Sequence, residues 1–307
     1  MDAVLLAGGF GTRLRPLTYT RPKPLLPVAG RAMVEWVLDR LPPEVDHVIV
    51  AVNWQAEALR RYFAASPRKL RFTVVEEAEP LGTGGAVGNC RDHLSSEWFF
   101  VLNADIVSSM DLGALLAARS SERAGILSLR DVPRADTVHF GAAEIGDSDD
   151  TATQLTGFVE KPSNPELAPS TLINAGAYLL HRQILQWIPE GKLVSMEKEV
   201  FPRLLPDKLW GVPFVGEWID VGDPARLLAA NKMLGGGDDV VGQNCAISGT
   251  LNQCIVGDNV TVLAGVHLEN CVVGDGETVT QSQRDARIWT KAVPPGYPEK
   301  QVGNAIG

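Results

Sequence analysis

The sequence of 307 residues is poor in cysteine, which limits the chemistry that thiols could provide. Its four cysteines are Cys90, Cys245, Cys254 and Cys271. No two of them have the Cys-x-x-Cys spacing of a metal or redox site, and they stand among apolar neighbours. Buried free thiols are therefore expected rather than disulfides or a metal centre.

Long apolar runs and an excess of positive charge are lacking as well. No segment reaches the roughly eighteen apolar residues of a membrane span, and a strand pattern stands where a secretory leader would have its basic start. The 37 acidic residues outnumber the 28 lysines and arginines, which leaves a formal net charge of −9. These features argue against membrane insertion and bulk nucleic-acid binding. We expect a cytoplasmic protein, with neither nucleic acid nor membrane as a partner, that binds a small ligand.

The sequence does contain a glycine-rich turn directly after its first apolar run. Residues 4–18 read Val-Leu-Leu-Ala-Gly-Gly-Phe-Gly-Thr-Arg-Leu-Arg-Pro-Leu-Thr, and Lys23 follows. Glycine lets the backbone approach phosphate oxygens closely, and Arg13, Arg15 and Lys23 add positive charge, so the segment is typical of a polyphosphate site. It has neither the Walker pattern nor the Gly-x-Gly-x-x-Gly spacing of dinucleotide binders. For the glycines alone, a tight structural turn is the alternative.

Apolar runs alternate with helical patterns through the first half of the chain. The predicted elements are strands over 3–7, 47–52, 71–75 and 98–103 and helices over 34–41 and 55–63. This βαβ rhythm predicts an α/β fold with a Rossmann-like, mixed but mainly parallel sheet sandwiched by helices. Because ligands of such sheets bind at the carboxyl ends of the strands, the glycine turn and Asp105 should meet there.

The second half begins with strands and ends with a repeat. The predicted elements are strands over 139–145, 155–161 and 172–180 and a helix over 224–234. Val-Gly-Asp then occurs at 256–258 and 273–275, with apolar residues at steps of close to six, which resembles a short left-handed β-helix of hexapeptide repeats. A small antiparallel strand cluster is the alternative. The predicted units are 1–234, a glycine-rich linker at 235–239, the β-helix at 240–280 and a tail at 281–307 for which the sequence predicts no structure.

The first glycine turn resembles the signature of a known family of enzymes. The pattern Gly-Gly-x-Gly-Thr-Arg-Leu-x-Pro-Leu-Thr with Pro-Lys-Pro is similar to that of the sugar-1-phosphate nucleotidyltransferases. The segments 81–85, 195–202 and 218–224 are closest to those of mannose-1-phosphate guanylyltransferases, although 30–32 read Gly-Arg-Ala in place of Gly-Lys-Pro. The resemblance spans the first unit and plausibly the β-helix. It implies condensation of a nucleoside triphosphate, preferably GTP, with a sugar 1-phosphate, preferably mannose 1-phosphate, and release of pyrophosphate.

The resemblance also implies which residues carry the chemistry. Asp105 and Asp220 match the magnesium-binding aspartates of the family, and Mg²⁺ that keeps several waters needs only one or two carboxylates. Arg13 would hold the leaving pyrophosphate, Lys23 the phosphates at the point of transfer, and Lys161 the attacking phosphate. Taken singly, an aspartate that follows a strand is more often a turn or cap residue.

Binding residues are implied on both sides of the site. The implied nucleotide-binding residues are Leu6, Ala7, Gly8, Gly9, Gly11, Thr12, Arg13, Gly82 and Thr83. The implied sugar-phosphate-binding residues are Gly141, Glu160, Lys161 and Asn174. On the residues alone, Thr83 could instead be a helix N-cap, and Glu160 with Lys161 a solvated ion pair.

Three other functions are compatible with parts of the sequence. The first is a thymidylyl- or uridylyltransferase acting on glucose 1-phosphate or another sugar 1-phosphate. The second is a non-catalytic subunit that senses nucleotide sugars, which the complete set of site residues argues against. The third is a bifunctional enzyme whose coil adds acyl transfer, with His267 as its base, although the coil looks short for that activity. A homo-oligomer is expected in each case.

Overall fold

The structure is a computed structural model in which residues 1–294 are described. The strands of its large sheet are β1 (Asp2–Leu6), β2 (His47–Val52), β3 (Arg71–Glu76), β4 (Trp98–Asn103), β5 (Gly125–Asp131), β6 (Gly141–Ser148), β7 (Thr153–Glu160), β8 (Leu172–His181) and β9 (Leu209–Phe214). The α-helices are α1 (Met33–Leu38), α2 (Ala56–Ala64), α3 (Gly82–Asn89), α4 (Leu112–Ala117) and α5 (Pro224–Gly235). In the described residues, none of these helices has both the length and the apolar character needed to cross a membrane.

Short elements complete the chain. The 3-10 turns are Thr12–Leu14, Leu17–Tyr19, Lys23–Leu25, Arg91–His93, Arg134–His139, Pro165–Leu167, Arg182–Trp187 and Phe201–Arg203, and Met196–Val200 is a π turn. Two small ribbons pair Pro27–Val28 with Arg31–Ala32, and Ile106–Ser108 with Trp218–Asp220.

The sheet is mixed, with the strand order β3-β2-β1-β4-β8-β5-β9-β7-β6. Strands β3, β2, β1 and β4 are parallel neighbours, and β9 is parallel to β5. Strand β8 runs antiparallel to β4 and β5, and β7 runs antiparallel to β9 and β6. The prediction of a mainly parallel sheet is therefore wrong for the second half. A short hairpin such as β6–β7 can only join antiparallel strands, because a parallel pair needs a crossover.

Helices cover both faces of the sheet, as predicted. In β1 the side chains alternate, so that Ala3 and Leu5 belong to one buried cluster and Val4 to the other. Helices α1, α2 and α4 pack into the first cluster, whereas α3 and the π turn pack into the second. Strand β2 is buried along its whole length, as expected for a strand covered on both faces.

Helix α5 ends the first unit with well-defined caps. The Asp223 carboxylate accepts the Arg226 amide at 2.9 Å, and Pro224 occupies the first turn. Gly236 adopts a left-handed φ of 72° at the other end, where a side chain would be strained. The predicted linker therefore begins as the last turn and cap of a helix, and Asn231 ties it down further by donating to the Asp238 carbonyl at 2.7 Å.

Beyond α5 the chain forms a coil of short parallel strands in three stacks. The first stack is Val240–Val241, Ile255–Val256, Val272–Val273 and Arg287–Ile288; the second is Ala246–Ile247, Thr261–Val262 and Thr278–Val279; the third is Thr250–Asn252, His267–Glu269 and Gln283–Arg284. Parallel pairing rules out the antiparallel cluster and fits a β-helix. One turn takes 15 or 17 residues, less than three full hexapeptides.

The coil extends further than predicted and packs on the first unit. Its strands continue to Ile288, past the predicted end at residue 280, while the predicted tail residues 295–307 lie outside the described residues. Val240, Ile255 and Val272 of the first stack share a buried cluster with Leu14 and Leu17. The coil therefore forms one core with the segment that follows the glycine turn.

The four cysteines are free thiols in the described structure. Cys90, Cys254 and Cys271 are buried, as predicted, and Cys245 is partly exposed. Burial raises the pKa of the Cys90 thiol to about 12, so that it stays protonated at neutral pH.

Candidate active site

The candidate site lies at the carboxyl ends of the parallel strands. The glycine turn begins directly after Leu6, the last residue of β1. The amide of Ala104, after β4, donates to the Leu6 carbonyl at 3.1 Å, and the amide of Glu77, after β3, donates to the Val52 carbonyl at 2.8 Å. These bonds hold the loops that follow neighbouring strands side by side. Asp105 therefore stands beside the glycine turn, as the sequence predicted.

The glycines of the turn have different roles. Gly11 has a left-handed φ of 64°, and a Cβ there would lie 2.6 Å from Cγ2 of Thr18, whose hydroxyl donates to the Gly11 carbonyl at 2.8 Å. The fold itself therefore requires Gly11. A Cβ at Gly9 would meet no described atom within 4 Å. Since packing does not explain Gly9, its bare backbone suits the close approach of a ligand.

A two-stranded ribbon joins the two predicted metal carboxylates. Ile106–Ser108 pairs antiparallel with Trp218–Asp220, in a register that sets Asp220 opposite Ile106. The carbonyl of Asp105 accepts the Val221 amide at 2.9 Å. Two aspartates far apart in the sequence are thereby fixed at the same end of one ribbon.

Cations balance these carboxylates. Nζ of Lys23 lies 2.5 Å from Oδ2 of Asp105, and Nη1 of Arg226 lies 3.7 Å from Oδ2 of Asp220. Burial raises the pKa of Asp220 and the charge of Asp105 raises it further, whereas Lys23 and Arg226 lower it. Two carboxylates that repel each other beside cations are typical of a site for charged ligands.

Arg13 lies on the other side of Asp220. It is exposed in the 3-10 turn Thr12–Leu14. A Cβ at Gly222 would lie 3.0 Å from Nη2 of Arg13, so the guanidinium sits against the turn that follows the ribbon. The structure thus brings together Arg13, Lys23 and both aspartates.

The donor set fits Mg²⁺. Asp105 and Asp220 provide hard carboxylate oxygens, and among residues 1–294 they are not part of any group of three or more His, Cys, Asp or Glu side chains that could hold a metal. A magnesium ion keeps several waters and takes oxygens from substrate phosphates, so two carboxylates suffice.

The second glycine-rich loop is packed against the segment before the π turn. The amides of Gly84 and Gly85 donate to the Val194 carbonyl at 2.9 and 3.1 Å. The hydroxyl of Thr83 donates to Glu197 at 2.7 Å and accepts the Met196 amide at 2.9 Å. Thr83 is thus not the N-cap of α3, since Leu81 holds that position, and its hydroxyl already has partners inside the protein. Gly82, at the start of this loop, has a left-handed φ of 73°.

Two polar residues that the sequence analysis missed lie beside Gly8. A Cβ there would lie 3.6 Å from Oε1 of Glu77 and 3.6 Å from Nδ2 of Asn53. Glu77 is only 6% exposed; its Oε2 accepts the Leu81 amide at 2.9 Å, and burial raises its pKa. Oδ1 of Asn53 is buried without a hydrogen-bond partner among the described residues. The available signal was an acidic residue directly after a strand, but it stands in a run of acidic residues that resembles a solvated loop.

The predicted sugar-side residues lie at the end of the β6–β7 hairpin. Gly141 pairs with Glu160, and a Cβ at Gly141 would lie 2.6 Å from Oε2 of Glu160. Burial raises the pKa of Glu160, and the nearby Glu197 raises it further. Lys161 has a left-handed φ of 48°, which breaks the alternation of strand side chains. The chain therefore bends at Lys161, directly before Pro162.

Asn174 is held rigidly in a bulge of β8. Its amide nitrogen donates to the hydroxyl of the buried Tyr178 at 2.8 Å, and its oxygen accepts the Gly176 amide at 3.0 Å. The indole of Trp218, on the ribbon that ends at Asp220, donates to the Ala175 carbonyl at 3.0 Å. This bond connects the sugar-side residues with the ribbon that carries Asp220.

Glu197 is a further residue that sequence reasoning missed. Its carboxylate accepts the hydroxyls of Thr83 and Ser195 at 2.7 and 2.9 Å, and its charge acts on Glu160. It therefore links the first turn of α3 with Glu160. Its position was visible in the segment 195–202, but its partners depend on loop packing.

Known proteins resemble this chain in sequence and in fold. The family model described as nucleotidyl transferase matches residues 2–235. A Mycobacterium tuberculosis protein named mannose-1-phosphate guanylyltransferase is 35% identical over 273 residues, covering 87% of this chain and 73% of its own length. HddC from Yersinia pseudotuberculosis, solved with GMP-PN, has a TM-score of 0.61 and 26% identity over 76% of this chain and 99% of its own. UDP-glucose pyrophosphorylase from Acinetobacter baumanii has a TM-score of 0.65 at 22% identity over 76% and 93% of the two chains, which shows the shared Rossmann-like fold alone.

Proposed function

Because this chain belongs to the nucleotidyl transferase family, we propose that it condenses GTP with mannose 1-phosphate to give a nucleotide sugar and pyrophosphate. The observation that carries the proposal is the ribbon that sets Asp105 and Asp220 beside Lys23 and Arg13. The name of the Mycobacterium tuberculosis relative and the GMP-PN in HddC support guanine as the base.

The reaction needs positioning and charge neutralisation more than covalent help. A phosphate oxygen of the sugar 1-phosphate attacks the α-phosphorus of the triphosphate, and the bond to the bridging oxygen of pyrophosphate breaks in line. Arg13 would hold the leaving pyrophosphate, Lys23 the α-phosphate, and Lys161 the attacking phosphate. Asp105 and Asp220 would hold Mg²⁺, which neutralises phosphate charge when bound.

We propose that Glu77 reads the base. Guanine presents two neighbouring donors, N1–H and the N2 amino group, and a carboxylate can accept from both. Uracil and thymine present a single N–H donor between two carbonyl oxygens, and a carboxylate repels those oxygens. Oε2 of Glu77 accepts the Leu81 amide with one lone pair and Oε1 lies beside Gly8, so both oxygens can still accept a guanine donor next to the glycine turn.

The sugar would lie across Gly141, Glu160 and Asn174. Glu160 is half-buried and would accept hydrogen bonds from ring hydroxyls, while Asn174 is fixed by Tyr178 and Gly176. The missing side chain at Gly141 leaves its Cβ position to Glu160 and Phe158. Rigid polar groups of this kind favour one arrangement of hydroxyls.

We further propose that the coil is a left-handed β-helix, that residues 1–234 form the catalytic unit, and that the enzyme acts as a cytoplasmic homo-oligomer. The parallel stacks support the first proposal and the extent of the matching family model the second. Four free thiols support a reducing compartment. Val241 and Leu263, exposed on the coil, support contact with another subunit.

A substrate matrix tests the reaction. GTP, UTP, dTTP, ATP and CTP are each combined with several sugar 1-phosphates and Mg²⁺, and pyrophosphate release is measured. We expect the highest kcat/KM for GTP with mannose 1-phosphate. If GTP is inert while UTP or dTTP reacts, the base assignment is wrong. If the protein binds nucleotide sugars but no pair reacts, it is a sensor.

The role of Glu77 is tested by Glu77→Gln. The variant should lose about 30- to 100-fold in kcat/KM for GTP and lose much less with UTP, because the amide can pair with the uracil edge. Glu79→Gln removes an exposed carboxylate from the same loop and is the matched control. Equal losses for GTP and UTP would contradict base reading by Glu77.

A further inference from the structure

The two Val-Gly-Asp repeats of the coil each use both oxygens of their aspartate. In Asp258, Oδ1 accepts the Gln243 amide at 2.8 Å and Oδ2 pairs with Nη2 of Arg21 at 2.6 Å. In Asp275, Oδ1 accepts the Asp258 amide at 2.8 Å and Oδ2 accepts the Thr20 hydroxyl at 2.5 Å. One oxygen therefore joins neighbouring turns of the coil, and the other reaches the segment after the glycine turn.

The next turn of the coil adds an aromatic contact at the equivalent corner. Strand pairing sets Ile288 beside Val273, so that Trp289 follows where Gly274 follows in the turn before. The ring of Trp289 lies 5.2 Å from that of Tyr19. A Cβ at Gly274 would lie 2.3 Å from the Trp289 ring and 3.0 Å from Cβ of Pro16, so the absence of a side chain lets coil and segment meet.

The coil also binds the backbone of Arg13 itself. Nη1 of Arg287 donates to the Arg13 carbonyl at 3.3 Å. Directly after it, Leu14 is fully buried in the cluster that includes Ile255 and Val272 of the coil. The coil thus fixes the main chain of Arg13, while the guanidinium extends towards the turn after Asp220.

The segment 13–21 has few means to hold its own shape. Its backbone bonds come from short 3-10 turns: the Leu14 amide donates back to Gly11, outside the segment, at 2.9 Å, and the Tyr19 amide donates to Pro16 at 3.1 Å. Without a longer helical ladder, its position depends on the surfaces that it touches. A displacement of about 1 Å of a phosphate-binding group can cost roughly 100-fold in rate.

We propose that Asp258, Asp275, Arg287 and Trp289 are positioning residues that hold Arg13 for the leaving pyrophosphate. The coil is thereby a structural part of the triphosphate side of the site. This inference rests on the proposed role of Arg13. We call the contacts of Asp258, Asp275, Arg287 and Trp289 with the segment 13–21 the coil corner. Loosening the coil corner should weaken the binding of triphosphate and pyrophosphate and leave the binding of sugar 1-phosphate unchanged.

The double variant Asp258→Asn with Arg287→Met tests the inference. Asparagine keeps an oxygen for the Gln243 amide but loses the charge that pairs with Arg21, and methionine removes the donor to the Arg13 carbonyl. The matched control is Glu269→Gln with Arg284→Met, whose 2.5 Å ion pair lies within the coil. Both double variants remove one acid and one arginine.

We expect about a 10-fold loss in kcat/KM for the triphosphate and about a 5-fold weaker inhibition by pyrophosphate in the first double variant, with less than about a 2-fold change in KM for the sugar 1-phosphate. The control should match wild type in all three, at a similar Tm. Equal changes for both substrates, or identical kinetics in the two double variants, would overturn the inference.

Two further measurements keep the test decisive. Trp289→Ala should show the same selective loss and Trp289→Phe should restore most of it, because phenylalanine can still pack on Tyr19. Binding of inorganic pyrophosphate by calorimetry gives the answer without turnover. If wild type binds pyrophosphate but no substrate pair reacts, the proposed function fails and the positioning effect is still measured. Unchanged pyrophosphate affinity in all the coil-corner variants would refute the positioning role of the coil.

Discussion

The two ends of the parallel strands use polar residues in opposite ways. At the amino end, Asp2 is 1% exposed and its carboxylate accepts four hydrogen bonds, from the amides of Ser95 and Ser96, the Ser95 hydroxyl and Nδ1 of His47. Nε2 of His47 lies 2.9 Å from the Thr73 hydroxyl. This network is closed within the protein.

At the carboxyl end, polar groups remain available. Within residues 1–294, Oδ1 of Asn53 and Oε1 of Gln55 are buried without hydrogen-bond partners, and Asp105 and Asp220 are set side by side at an electrostatic cost. A buried polar group without a partner costs about 1–3 kcal/mol, so such groups persist where a ligand satisfies them. The comparison separates residues that stabilise the sheet from residues that bind.

The largest expected effect comes from a substitution that disrupts only the polar groups at the carboxyl end. Asp105→Asn should lower kcat by about 1,000-fold or more, because the proposed metal site loses one of its two carboxylate charges. The free energy of unfolding should change little, since the lost pair with Lys23 is offset by relief of the repulsion with Asp220. Pyrophosphate release and thermal unfolding measure the two effects. Near-normal turnover would remove Asp105 from the metal site.

The reverse effect is expected at the amino end. Asp2→Asn should lower the free energy of unfolding by about 2–3 kcal/mol, because a buried carboxylate loses charge-assisted hydrogen bonds, and kcat should stay unchanged. Asp46→Asn, which breaks an exposed pair with the N-terminus, is the control and should destabilise the protein far less. A loss of kcat in the folded Asp2 variant would contradict this division.

Asp2 also predicts how the free energy of unfolding falls at acid pH. Burial would raise the pKa of Asp2, but hydrogen bonds from Ser96, Ser95 and His47 hold it well below its usual range. The stabilisation is therefore complete above the unfolded value of 3.8 and is lost as the pH falls further. Denaturant unfolding between about pH 2 and 5 should show a flatter acid limb in Asp2→Asn than in wild type.

Two glycines of one turn sharpen the comparison further. Gly11→Ala should destabilise the fold by about 1–2 kcal/mol, because alanine is strained at this positive φ and clashes with Thr18. Gly9→Ala should change stability by less than about 0.5 kcal/mol and raise KM for the triphosphate about 10-fold by blocking the approach of phosphate. If both variants lose only stability, the turn has no special relation to a ligand.

The smallest effect concerns the sugar side. Because its pKa is raised, Glu160 gains a proton at a higher pH than an ordinary carboxyl does. As the pH falls, KM for the sugar 1-phosphate should therefore begin to rise at a higher pH. Glu197→Gln removes a like charge and should move this limb to lower pH, whereas Lys198→Met removes a cation and should move it to higher pH. Shifts in the same direction would mean that Glu160 is not the titrating group.

Much of the fold was predictable because its strands are buried on both faces. The bounds of β2 and β4 were predicted correctly, since continuous apolar runs end there at polar residues. Strand direction was not, because an apolar run looks the same in either orientation. The coil was predicted too short, because its last turn replaces the Gly-Asp of the repeat with Trp289 and Thr290.

The site was predictable where its residues form contiguous motifs. The glycine turn and Asp105 follow successive strands, so their meeting followed from topology. Glu77 and Glu197 were missed because their significance depends on burial by loops that are distant in the sequence. Thr83 was implied as a nucleotide-binding residue, and the partners of its hydroxyl between α3 and the π turn could not be predicted from the sequence.

The ribbon between Ile106–Ser108 and Trp218–Asp220 has a consequence for protein synthesis. It joins Ser109 to Glu217 across 108 positions, so a nascent chain possesses Asp105 and the whole glycine turn long before it possesses Asp220. Folding of the parallel strands can begin on the ribosome, where domains form as they emerge. The carboxylate pair can exist only after residue 220 has been translated. A partly made chain can therefore bury its first strands before Asp105 has its partner carboxylate.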